Sequence, residues 1–142
     1  MVPLGIDKEK IILQLGRLEE HLTRLREISD RITDSEEDFT LLTATERLIQ
    51  IAIEDCLNIG SHIIAGLRFK RADTYKEVFV RLKEEGILPE TLGLAMEGFA
   101  SFRNRLVHLY YEVTKEEVIS KLREIDSFKE FAKQILKYVE RE

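Results

Sequence analysis

The chain has 142 residues, 44% of them hydrophobic and 35% charged, which is enough for one globular domain that buries its own core. A single cysteine excludes an internal disulfide framework, and a formal net charge of −5 excludes a uniformly basic nucleic-acid-binding surface. The charge is polarised, however: residues 19–38 hold eight acids and three bases, whereas residues 67–83 hold six bases and two acids. No charged-then-apolar leader opens the sequence and no run approaches ~18 consecutive apolar residues, so a cytoplasmic protein without membrane contact is expected.

Asp7 is placed to cap a first helix. Ile11, Leu15, Leu18, Leu22, Leu25 and Ile28 recur at intervals of three and four and make one apolar seam. His21 stands beside the seam with no carboxylate or cysteine at ligand spacing, so it is expected to be structural or exposed and not a metal ligand. From Ser29 to Asp38 the period is lost and charge accumulates, which predicts a connection. The segment from Phe39 to Leu67 is apolar on most sides, as the central helix of a bundle must be. Cys56 within it reads as a small buried hydrophobe. Glu54, Asn58 and His62 repeat at i+4 as one polar line, facing either satisfied buried partners or a dimer or RNA surface.

Arg68, Lys70 and Arg71 form a basic loop, read either as solvated charge or as a contact surface for RNA. Asp73 then caps a short helix from Thr74 to Glu85, stopped by Gly86, and Pro89 opens a fourth helix. Thr114 and Glu117 have capping-box spacing and start a last helical region, with a break near Asp126 and Ser127. With no strand-like alternation and no internal repeat, the chain reads as an all-α bundle of about five helices, one domain over residues 1–142.

The fourth helix ends in a polar and aromatic cluster, residues 101–111. At ~100° per residue, Leu92, Ala95, Met96, Phe102, Leu106 and Tyr110 share the side of Phe99 and form the core stripe. His108 lies ~180° from Phe99, on a face with Gly93, Glu97, Ala100, Ser101 and Asn104 that is small and polar enough to admit another helix or a substrate. Arg103 is a permanent cation with a fork suited to phosphate, and His108 exchanges protons near neutral pH. They stand ~140° apart on one straight helix, so a second copy of the chain is needed to bring such a pair onto one phosphate.

Arg103, the polar Asn104, a spacer, His108, one residue and Tyr110 resemble the signature of the HEPN superfamily, and more closely its HepT branch of toxins from two-component toxin–antitoxin systems. The stretches at 52–64 and 75–89 are similar to the same branch, so the resemblance covers nearly the whole chain. It implies an HEPN-type helical bundle, a symmetric homodimer, and a metal-independent endoribonuclease that needs no cofactor. Arg103 and His108 would be its catalytic pair, and Asn104 would support catalysis by orienting His108 or binding phosphate. It further implies RNA as substrate, a cognate MntA-like nucleotidyltransferase antitoxin as partner, and AMP transfer onto Tyr110, with Tyr111 as a neighbouring acceptor. Arg105 joins Arg68, Lys70 and Arg71 as a candidate RNA contact. Two alternatives stand beside this: a non-catalytic HEPN module that binds a nucleotide or a nucleotidyltransferase, and a purely structural dimer built on the first helix.

Overall fold

The computed structural model describes residues 5–34 and 39–141. Within them are six α-helices and one 3-10 turn, with no strand: α1 (Lys8–Asp34), α2 (Phe39–Gly66), α3 (Tyr75–Glu84), α4 (Glu90–His108), the 3-10 turn (Tyr110–Glu112), α5 (Lys115–Leu122) and α6 (Asp126–Arg141). The Asp7 carboxylate accepts from the Lys10 amide, the N-cap contact expected of it. The α1 seam is buried as its spacing requires, with Ile11, Leu18, Leu22 and Leu25 fully inside. The helix runs further than its charge suggests, because Ile32 continues the apolar interval from Ile28 and is itself buried. The rest of the expected connection, residues 35–38, lies outside the described residues.

Helix α2 is the hub, packing against α1, α3, α4, α5 and α6. That explains its apolarity on most sides, and it is the one helix among the described residues long and apolar enough to cross a membrane; half of that apolar window is buried in the bundle. Cys56 is fully buried, and burial pushes its thiol pKa well up. Gly60 lets α3 approach closely: a Cβ there would stand 2.6 Å from Val78 Cγ1. Helix α6 closes the core through its aromatics, Phe131 edge-on to Phe79 at 5.9 Å and Phe128 against Phe99 at 4.4 Å.

Most helix starts follow the sequence signals. Thr114 and Glu117 form the full capping box of α5, and Pro89 is the N-cap of α4. At α3 the cap is Thr74, not Asp73, because the Thr74 hydroxyl accepts from the Glu77 amide while Glu77 reaches back to the Asp73 amide. The break between α5 and α6 falls at residues 123–125.

Candidate active site at the C-terminal end of α4

The face of α4 opposite its core stripe divides into a covered and an open part. Gly93, Glu97 and Ala100 are buried, where the sequence read them as part of an open face. Helix α3 lies along the first two: Lys83 Nζ donates to Glu97 at 2.9 Å and pairs with Glu90 at 3.4 Å, and its aliphatic chain lies over Gly93. With ten residues, α3 is about 15 Å long against about 28 Å for α4, so it cannot cover the whole face. Ser101 and His108 are exposed and Asn104 is half-buried.

Arg103 sits at the edge of that open part, turned toward α2 and α3. Its Nε and Nη2 both reach Glu54 Oε2, each at 3.0 Å, and its guanidinium lies 4.6 Å above the Tyr75 ring. Asn104 Oδ1 accepts from Nη1 at 3.4 Å, and Gln50 donates to the same Glu54 carboxylate at 3.0 Å. The Arg103 side chain is only 14% exposed, so these contacts act with little screening by water and fix the direction of the fork.

His108 is the last residue of α4, and the Leu109 amide closes that helix on the Arg105 carbonyl at 2.8 Å. Tyr110 departs from the expected core stripe: the helix has already ended, and the ring is 69% exposed on the 3-10 turn beside Tyr111, which is 72% exposed. Tyr110 lines a hollow of about 240 Å³ with Gln50, Glu46, Arg47, Thr43 and Leu106. Arg105 is already engaged. It forks onto both oxygens of Glu117 and onto the Glu112 carbonyl, tying the 3-10 turn to α5, and the guanidinium holds the Glu117 carboxyl at a pKa of about 2.

The basic loop lies on the other side of Asn104. Arg68, Lys70 and Arg71 are exposed, and Arg71 pairs with Asp73 at 3.3 Å. Between loop and helix, Asn104, Tyr75, Ser61, Ala72, Asp73, Thr74 and Val78 line a hollow of about 440 Å³. The polar line along α2 resolves into separate tasks: Glu54 holds Arg103, His62 Nε2 accepts from the Asp7 amide, and Asn58 is exposed. His21 is paired with Asp55 of α2 at 2.6 Å, a carboxylate 34 residues away that local spacing does not reveal. Burial pushes the Asp55 pKa up, while His21 acts in the opposite direction. Among the described residues, no group of three or more His, Cys, Asp or Glu side chains is placed to hold a metal ion.

The partners of Arg103 are what sequence reasoning missed. Glu54 was visible as a polar residue in an apolar helix, but its pairing across 49 positions was not, and Tyr75 carried no signal beyond its place at the start of α3.

Comparison with known proteins agrees with this architecture. A "tRNA nuclease HepT" from Aphanizomenon flos-aquae is 31% identical over 104 residues, covering 73% of this chain and 69% of that protein. A "Putative RNase" from Archaeoglobus fulgidus is 30% identical over 131 residues, 89% of this chain and 88% of that protein. In fold, the tri-AMPylated HEPN toxin of Shewanella oneidensis, solved in complex with its MNT antitoxin, superposes with a TM-score of 0.83 at 20% identity, covering 89% of this chain and 96% of that one. The profile of the family described as ribonuclease HepT-like matches residues 18–135, and the chain belongs to that HepT-like family.

Proposed function

We propose that the chain is a metal-independent endoribonuclease, the toxin of a toxin–antitoxin pair, whose reaction centre forms where two copies bring together the open ends of α4. One observation carries this reading: a guanidinium set in direction by Glu54 and Tyr75, followed five residues later by an exposed imidazole at the helix end. Attack on a phosphodiester builds charge on the phosphoryl oxygens, and a preoriented Arg103 stabilises it without reorganising. One His108 takes the proton of the RNA 2′-hydroxyl as that oxygen bonds to the adjacent phosphorus; the other gives a proton to the departing 5′-oxygen. The products are a 2′,3′-cyclic phosphate and a free 5′-hydroxyl. A two-fold axis supplies both imidazoles and sets the Arg103 of one copy against the His108 of the other. Asn104 steadies Arg103 or contacts the phosphate.

Control falls to Tyr110. The AMPylated Shewanella toxin in complex with its antitoxin supports the same regulation here, by a MntA-like nucleotidyltransferase. The Tyr110 oxygen attacks the α-phosphorus of ATP, pyrophosphate leaves and the phenolic proton is lost. The exposed position of the ring admits the donor, and the new phosphodiester places negative charge at the end of α4 where the RNA backbone must approach. Tyr111 is equally exposed and is the second acceptor.

A non-catalytic binding module is the second reading, favoured by the grip of Glu54 on Arg103, which already neutralises the cation within one protomer. Cleavage separates the two. The purified protein should cut RNA in excess EDTA and leave cyclic phosphate ends, with His108→Ala inactive. Cleavage that depends on added magnesium, or that survives His108→Ala, overturns the proposed mechanism.

A further inference from the structure

We propose that the hollow bounded by the end of α2, the 67–74 loop and the start of α3 is a binding pocket for one nucleotide of a single-stranded RNA, flanking the bond to be cut. It rests on the ribonuclease reading of the α4 end and adds the subsite that receives the neighbouring part of the substrate. The hollow has a volume of about 370 Å³, with walls from Ile64, Phe69, Ala72 and Val78 and two guanidinium-bearing residues, Arg68 and Arg71, at its lining. It shares Ser61, Ala72 and Val78 with the 440 Å³ hollow that reaches Tyr75 and Asn104. The two hollows therefore adjoin, and the second reaches Tyr75 and Asn104, which contact Arg103.

Those features match the chemistry of a single strand. Unpaired bases offer flat apolar faces that bury in such slots, and their phosphates seek guanidinium groups beside them. Free phosphate would have no use for the apolar walls. In a chain of net charge −5, Arg68, Lys70 and Arg71 bring three cations into four residues beside that slot against one carboxylate, Asp73, which pairs with Arg71; the surplus favours a polyanion over an apolar peptide.

The backbone at the pocket gives a second, independent reason. Helix α2 ends in a Schellman turn, with the Phe69 amide on the Ile64 carbonyl at 2.9 Å and the Arg68 amide on the Ala65 carbonyl at 3.3 Å. The residue this turn places in the left-handed region is ordinarily glycine, yet here it is Arg68, at φ 55°. The strained position keeps a guanidinium at the pocket where glycine would fold more easily.

The test is fluorescence anisotropy with a 5′-labelled single-stranded RNA on the full-length His108→Ala protein, which takes cleavage out of the readout. Ala65 is an exposed helix residue that lines the pocket, so Ala65→Trp fills the slot without changing charge. It should weaken RNA binding about tenfold and leave the salt slope unchanged. Arg68→Gly should weaken binding and flatten the slope by about 0.7, while its Tm stays level or rises because the left-handed strain is relieved. Parental RNA affinity in both variants overturns the pocket. So does an Ala65→Trp protein whose sedimentation changes while its RNA affinity does not, since the slot would then belong to a protein neighbour. If the parent cleaves RNA in EDTA but both variants bind as before, the ribonuclease reading stands and the pocket falls. If both variants bind weakly but the parent cleaves nothing, the pocket stands and the ribonuclease reading falls.

Discussion

Glu97 and Asn104 are seven residues apart on the same face of α4, and they live in different surroundings. Glu97 is buried under α3, its charge met by Lys83; Asn104 borders an open hollow and touches Arg103. Nothing in the helix itself makes this difference. It arises because a ten-residue helix packs against a nineteen-residue one and leaves this face open toward the end of α4. The first part of that face is thereby given to stability, and its last part is open to a partner chain or a substrate.

Substitutions should sort along that division. The largest effect is expected at the open end: His108→Ala should lower cleavage by about 10² to 10⁴-fold, the usual range for a lost acid or base, with an unchanged Tm because the residue is exposed. On the core stripe across the helix, Phe99→Ala removes a fully buried ring packed on Phe128 and should cost about 3–5 kcal/mol in denaturant unfolding.

A matched pair sharpens the contrast. Gly93→Trp would drive a ring into Lys83 and should destabilise by about 1–3 kcal/mol, whereas Ser101→Trp, two turns on, should leave helical content and Tm intact. Its effect should appear instead in sedimentation and cleavage, as a weakened dimer. Equal losses of stability in both would mean that the face is not divided as described.

The smallest expected effect is in acid. Arg105 holds the Glu117 carboxyl at about 2 against an ordinary 4.5, so between those values the unfolded chain binds more protons than the folded one. The stability this pair contributes is present above pH 4.5 and is lost as pH falls toward about 2. A Glu117→Gln protein should show a flatter Tm profile over that window and no change near neutrality.

Much of the fold was legible because it is written locally. The α1 seam, the apolar run of α2, Pro89 before α4 and the capping box at Thr114 and Glu117 each depend on residues within a turn or two of one another. The candidate site was legible only in part, for the complementary reason. Arg103 and His108 could be named from their chemistry and pattern, but the carboxylate that aims Arg103 comes from α2 and the ring beneath it from α3. Burial of Gly93 and Glu97 likewise depended on the length and path of α3, which no periodicity within α4 encodes. Tyr110 was placed on the core stripe by extending the helical wheel past His108, where the helix had stopped.

The central claim is that the open end of α4 is one half of a reaction centre completed by a second copy. Single-turnover RNA cleavage by mixed dimers, purified through two tags so that one protomer is intact and the other carries His108→Ala, tests it most directly. The account predicts activity as low as that of the doubly substituted dimer, because acid and base come from different copies. Half the parental rate would show that each protomer cuts alone, and would contradict it.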